Sequence, residues 1–211
     1  MRIVFPLFDR FTALDAIGPY EVLSRLPGAE VVFAAVEAGI VRTDVGLGLV
    51  AGSDLADVEA CDLMVVPGGP GTRVVAQAGD PVVEWVRGLH ATTTWTTSVC
   101  TGSEILGAAG LLDGLEATTH WASVERLESF GARYSGRRVV VEGKVVTAAG
   151  VSSGIDMALT LVALVAGDDM AKAIQLGIEY DPQPPFDSGS VAGASPETVD
   201  LVRAVLGAPA W

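Results

Sequence analysis

Short β-branched apolar runs alternate along this chain with amphipathic stretches, and that alternation restricts the fold more than any other feature. The run Leu63-Met-Val-Val66 is apolar at every position, as suits a strand buried on both faces. Strands of this kind alternating with helical patterns point to an α/β fold with a mainly parallel sheet. Core strands are predicted at Arg2–Phe5, Glu30–Ala38, Leu63–Val66 and Thr93–Val99. Covering helices are predicted over Ala13–Leu26, with Leu14, Ile17, Val22 and Leu23 near one face, and over Pro81–His90. Two hairpins are expected, Ile40–Thr43 with Leu47–Gly52 around Asp44-Val-Gly, and Arg138–Val141 with Lys144–Thr147 around Glu142-Gly143. Beyond Cys100 the pattern predicts a helix over Gly102–Ala109, a strand over Ala117–Thr119 that continues the sheet, and a helix over Ala122–Phe130. A buried helix over Ser153–Val165 opens a mostly helical last third, with a proline-rich loop over Asp181–Gly193.

With 211 residues, half of them hydrophobic, the chain suits a single domain over residues 1–211, or a domain with a small appendage. A net charge of −13 argues against nucleic acid and anionic membranes as partners, because both are bound through clustered Lys and Arg. The longest apolar stretch, Met157–Ala166, is about half of the roughly 20 residues a membrane span needs. The opening MRIVFPLFDRF lacks the apolar core of a signal peptide, and two cysteines are too few for a disulfide framework, so a cytoplasmic location is expected.

The most informative string is Thr96-Thr-Ser-Val-Cys100-Thr-Gly-Ser-Glu. A β-branched strand runs into Cys100, and small residues then permit a sharp turn into a helix, which would project the thiol from the end of the sheet. The helix N-terminus beneath it favours a thiolate. The local sequence equally allows a buried cysteine filling a hole at a strand end. Cys61, at the entrance to a buried strand with no glycine elbow, reads as core packing. Neither cysteine has zinc or dithiol spacing.

Val66-Pro-Gly-Gly-Pro-Gly71 follows another core strand, and the amides of Gly68 and Gly69 could stabilise charge on a bound intermediate, although the same string makes an ordinary turn. Asp15, among apolar residues at the start of the first helix, is either a helix-terminus residue or an acid/base facing Cys100. Glu21 is a second acid, on a different helical face. Of the two histidines, His90 reads as a solvated helix C-terminal residue and His120 as a structural or pocket-lining one. Thr101 by itself reads as a helix cap.

Taken together, Leu14-Asp-Ala-Ile-Gly-Pro-Tyr-Glu-Val, Val66-Pro-Gly-Gly-Pro-Gly, Ser98-Val-Cys-Thr-Gly and Ala117-Thr-Thr-His-Trp resemble the ThiJ/PfpI superfamily over nearly the whole chain. Ile178-Glu-Tyr-Asp-Pro-Gln-Pro-Pro-Phe186 makes the pattern most similar to its isonitrile hydratases. The resemblance implies a flavodoxin-like three-layer sandwich, a homodimer, and no metal or organic cofactor. It implies Cys100 as nucleophile, Asp15 as its acidic partner and Thr101 as a neighbour that positions solvent or intermediate. Gly68, Gly69 and His120 are then the substrate-binding candidates, and the substrate class is a small-molecule isonitrile. Peptidase-like relatives carry a histidine where this chain has Thr101, and glyoxalase-like relatives a glutamate where it has Asp15. A ligand-binding module like those preceding the DNA-binding helices of AraC-type regulators is the alternative from another class, and thiol-based aldehyde detoxification is a third.

Overall fold

The computed structural model describes residues 1–206; residues 207–211, the end of the expected 1–211 domain, lie outside the described residues. Met1–Ile178 forms one compact unit and the chain from Glu179 onward a second. In the first unit, β1 (Arg2–Pro6) leads through α1 (Ala13–Leu23) to β2 (Glu30–Ala35), then to the antiparallel hairpin of β3 (Gly39–Arg42) and β4 (Gly48–Ala51), and to the short β5 (Ser53–Asp54). Next come β6 (Leu63–Val66), α2 (Thr72–Val75), α3 (Pro81–His90), β7 (Trp95–Val99) and α4 (Gly102–Ala108). The unit is completed by β8 (Glu116–Ala117), α5 (Val124–Ser129), β9 (Arg133–Tyr134), β10 (Val139–Glu142), β11 (Val145–Ala148), α6 (Ser153–Ala166) and α7 (Asp168–Gly177). The second unit contains the 181–193 segment, which has no helix or strand, and α8 (Pro196–Leu206).

Seven strands form one sheet in the order β10-β11-β7-β6-β1-β2-β5, and every neighbouring pair is parallel except β10 with β11. On one face α1 packs on α6, and α6 on α7; on the other, α3, α2 and α5 gather around α4. This is a three-layer α/β fold. Its centre explains the continuous apolar runs: Ile3, Val4 and Phe5 of β1 and all four residues of β6 are buried, because helices cover both faces.

Several expectations needed correction. The predicted strand at 117–119 does not continue the sheet; Glu116–Ala117 pairs only with β9. The residues after it turn to side-chain partners, with the Thr118 amide donating to Thr147 Oγ1 at 2.9 Å and Thr119 Oγ1 donating to the Cys100 carbonyl at 3.1 Å. The strand expected from Thr93 begins at Trp95, since the Thr93 hydroxyl folds back to the His90 carbonyl at 2.9 Å. The strand expected to reach Ala38 ends at Ala35. The helix predicted from Ala122 opens with a 3-10 turn, Trp121–Ser123, and α2, α7 and β5 lie outside the elements predicted with bounds. Among the described residues, no helix is long and apolar enough to cross a membrane.

Candidate active site

Three loops converge at one edge of the sheet because β1, β6 and β7 are adjacent and parallel, so the chain leaves all three strands at the same end. In an open α/β sheet this is where ligands bind. Asp15 follows β1, Gly68 and Gly69 follow β6, and Cys100 follows β7.

Cys100 sits at a strand-to-helix elbow with φ +57°, a left-handed conformation that is uncommon for a residue bearing a Cβ. Its backbone is fixed from both sides. The amide donates to the carbonyls of Ala148 and Ala149 at 3.1 and 2.9 Å, and the carbonyl accepts from Ser103 Oγ and Thr119 Oγ1, each at 3.1 Å. Surrounding contacts therefore impose the conformation, as expected of strain held at a functional position. Val151, β-branched and at φ +32°, is strained likewise, and its amide points at the Cys100 sulfur.

Asp15 is fully buried. The Gly68 amide donates to its Oδ2 at 2.9 Å, while Oδ1 has no protein partner. Burial pushes its pKa from 3.8 up to about 7, against the opposing effects of the Gly68 amide and the Cys100 thiol, with a further push from Asp44. The Cys100 thiol, 5 % exposed, is raised well above the usual thiol range, first by burial and then by the Asp15 charge. The Val151 amide and the amide and hydroxyl of Thr101 pull the other way. The expectation that a helix N-terminus beneath the thiol suffices to favour thiolate is thus corrected: burial and a facing carboxylate outweigh it. The two acids form one coupled pair, and its low-dielectric site favours a single negative charge shared between them. With the proton on Asp15, the smaller of the two effects that raise the thiol is removed, and that of burial remains.

Gly68 and Gly69 behave differently from the oxyanion-type donors expected of them. The Gly68 amide is committed to Asp15 and the Gly69 amide to Thr101 Oγ1, at 2.9 and 2.8 Å. These bonds tie the β6 loop to the acid and to the elbow, and the backbone approach is close: a Cβ on Gly68 would lie 2.5 Å from the Thr101 nitrogen. Gly68→Ala is therefore expected to cost on the order of 1–3 kcal/mol of stability, read as a fall in the thermal midpoint; an unchanged midpoint would show that the turn moves freely.

Thr101 stands at the N-cap position of α4, but the expected side-chain cap is absent: its hydroxyl accepts from the Gly69 amide and lies 3.2 Å from the Gly69 carbonyl. His120 accepts from the Ala122 amide through Nδ1 at 3.3 Å, and its ring lies close enough to Gly150 that a Cβ there would stand 2.7 Å from Cδ2. Burial lowers its pKa, which favours the neutral ring. It thus borders the loop whose next residue, Val151, faces the sulfur. His90 is a correction: rather than a solvated residue, it is half-buried at the opposite end of β7, with Nδ1 2.8 Å from Thr96 Oγ1. Glu21 is exposed and paired with Arg25. Cys61 is buried in the core, where burial pushes its thiol up to about 11. Sequence reading missed Ser103, Thr119 and Val151 as groups that hold or face Cys100. Thr119 and Ser103 lay inside quoted strings, whereas Val151 carries no local signal.

The DJ-1/PfpI family model matches residues 1–164. This chain belongs to the DJ-1/PfpI family. It is similar to an isonitrile hydratase of Pseudomonas putida, with 41 % identity over 203 residues, covering 96 % of this chain and 89 % of that one. A solved ThiJ/PfpI family protein from Pseudomonas syringae superposes with a TM-score of 0.92 at 34 % identity, covering 97 % of this chain and 86 % of that one. The transcriptional regulator CdhR of Pseudomonas aeruginosa is 28 % identical over 174 residues, 80 % of this chain but only 51 % of the regulator.

Proposed function

We propose that this member of the DJ-1/PfpI family is a cofactor-independent isonitrile hydratase that converts R–NC and water into an N-substituted formamide, R–NH–CHO. One observation carries the reading: a buried thiol at a strained elbow faces a buried carboxyl whose pKa lies at about 7, in a chain similar over nearly its whole length to an isonitrile hydratase. The family resemblance adds a homodimer to the same reading.

Isonitrile carbon is electrophilic toward sulfur and becomes basic once attacked, so hydration needs a nucleophile and a proton donor at the same point. In the thiolate–carboxylic acid form of the pair, Cys100 Sγ forms a bond to the terminal carbon while Asp15 gives its proton to that carbon, leaving a thioimidate, R–N=CH–S–Cys. Asp15, now a carboxylate, takes a proton from water as the oxygen adds to the same carbon, and passes that proton to nitrogen. It then receives the hydroxyl proton as the C–S bond breaks and R–NH–CHO leaves. Cys100 and Asp15 return to thiolate and acid, and one water has been consumed.

The amides of Val151 and Thr101 face the sulfur and would stabilise it as attacking and as leaving thiolate. Thr101, tied to Gly69, holds the two loops in register. His120, bordering Gly150, would line the side on which the R group enters. Incubation of the protein with p-nitrophenyl isocyanide should yield p-nitroformanilide, identified by chromatography against an authentic standard. Absence of formamide at any enzyme concentration would exclude the hydratase reading and favour ligand binding without turnover.

A further inference from the structure

The hairpin of β3 and β4, expected from the sequence as a hairpin alone, has its tip tied into the active-site edge. The Arg10 amide donates to the Arg42 carbonyl at 2.8 Å, Phe11 and Thr43 form a parallel bridge, and the Asp44 amide donates to the Phe11 carbonyl at 3.0 Å. Asp44 Oδ2 then accepts from Thr12 Oγ1 at 2.8 Å, while its Oδ1 accepts from the Val45 amide at 2.9 Å. Thr12 is the residue through which this contact reaches the site. Its amide donates to the Gly68 carbonyl at 2.8 Å and its carbonyl accepts from the Asp15 amide at 3.1 Å. Gly68 in turn donates to the Asp15 carboxyl at 2.9 Å. A ring of hydrogen bonds therefore joins Thr12, Gly68 and Asp15, and Asp44 is attached to it through the Thr12 hydroxyl.

We propose that Asp44 is a positioning residue of this site: through Thr12 it fixes the loop that presents Asp15, and its charge biases the shared proton of the Asp15–Cys100 pair toward the carboxyl. This rests on the reading of Cys100 as the nucleophile. Asp15 is faced by the Cys100 thiol, from the elbow, and by the Gly68 amide, both of which favour its ionised form, while the charge that acts on it is that of Asp44, from the hairpin. Glu21, on Asp15's own helix, is turned to Arg25, and the Arg42 guanidinium reaches the Gly46 carbonyl at 3.3 Å. Asp44 is the nearby carboxylate that disfavours ionisation of Asp15, and so favours the form in which the sulfur carries the charge.

Two variants separate the electrostatic from the positional contribution. Asp44→Asn keeps an oxygen for the Thr12 hydroxyl and removes the charge. Thr12→Val removes the hydroxyl and leaves the charge in place. The readout is the rate of Cys100 alkylation by iodoacetamide as a function of pH, located on the Cys100 peptide by mass spectrometry, which requires no hydratase activity. Asp44→Asn should lower the first apparent pKa of the pair by about half a unit and slow alkylation on the plateau about threefold, because less of the pair is thiolate with protonated Asp15. Thr12→Val should slow alkylation without moving that pKa. The same displacement should appear in the acid limb of kcat/KM for formamide production. An alkylation profile for Asp44→Asn that superposes on wild type, or that falls uniformly with its pKa unmoved, overturns the proposal. If alkylation shifts as expected but no formamide forms from any isonitrile, the role of Asp44 stands and the hydratase reading fails.

Discussion

Cys100→Ala should reduce formamide production by roughly 10³-fold or more, the scale of loss when a covalent nucleophile is removed. Among the described residues nothing else at this edge replaces the sulfur: Asp15 and Thr101 are oxygen groups that accept from the Gly68 and Gly69 amides, and Cys61 is buried in the core. The variant should remain folded. Both residues carry a Cβ, so the left-handed backbone at φ +57° is no more strained in alanine than in cysteine. The hydrogen bonds from Ser103 and Thr119 go to the backbone carbonyl and survive the substitution. Product formation by the purified variant is measured together with its circular dichroism melt. Turnover that persists in a folded Cys100→Ala protein would show that the nucleophile lies elsewhere.

Asp15→Asn should separate activity from stability. Turnover should fall by about 10²–10⁴-fold, the usual contribution of a positioned acid/base. Stability should change in the opposite direction, and only above acidic pH. The folded-state pKa of Asp15 is raised, from 3.8 to about 7, so the stability associated with its neutral form is fully present below about pH 4. That stability is lost as pH rises through about 7, where folding must bury a charge or keep a proton bound. Asparagine has no such titration and keeps an oxygen for the Gly68 amide. The difference between variant and wild type should therefore grow between pH 4 and 7, reaching on the order of 4 kcal/mol at alkaline pH. Denaturant unfolding at acidic and alkaline pH checks this. A difference that is flat with pH would mean that Asp15 is ionised in the folded protein near its ordinary pKa.

How much of this could be read from the chain follows from what each feature depends on. Leu63–Val66 and Pro81–His90 have the predicted bounds because every position of the first is apolar and the second begins with Asp80 and Pro81, a side-chain cap and a proline at the first turn. The segment 117–119 misled because its β-branched residues satisfy strand propensity, while Thr118 and Thr119 spend their hydrogen bonds on Thr147 and Cys100. His90 misled because it ends an amphipathic helix, and the strand that half-buries it is contributed by residues further along.

The sequence by itself determined the layered α/β architecture and the elbow at Cys100, and marked Asp15 as a carboxylate amid apolar neighbours with two readings open, since alternating patterns, a strand running into small residues and a residue's neighbours are all local. Only the tertiary structure decided that Asp15 and Cys100 form one coupled pair, that the Gly68 and Gly69 amides are already spent, and that Asp44 reaches the site through Thr12. Those facts depend on desolvation and on distances between segments that the parallel register of β1, β6 and β7 brings together, and neither quantity is a property of any one segment.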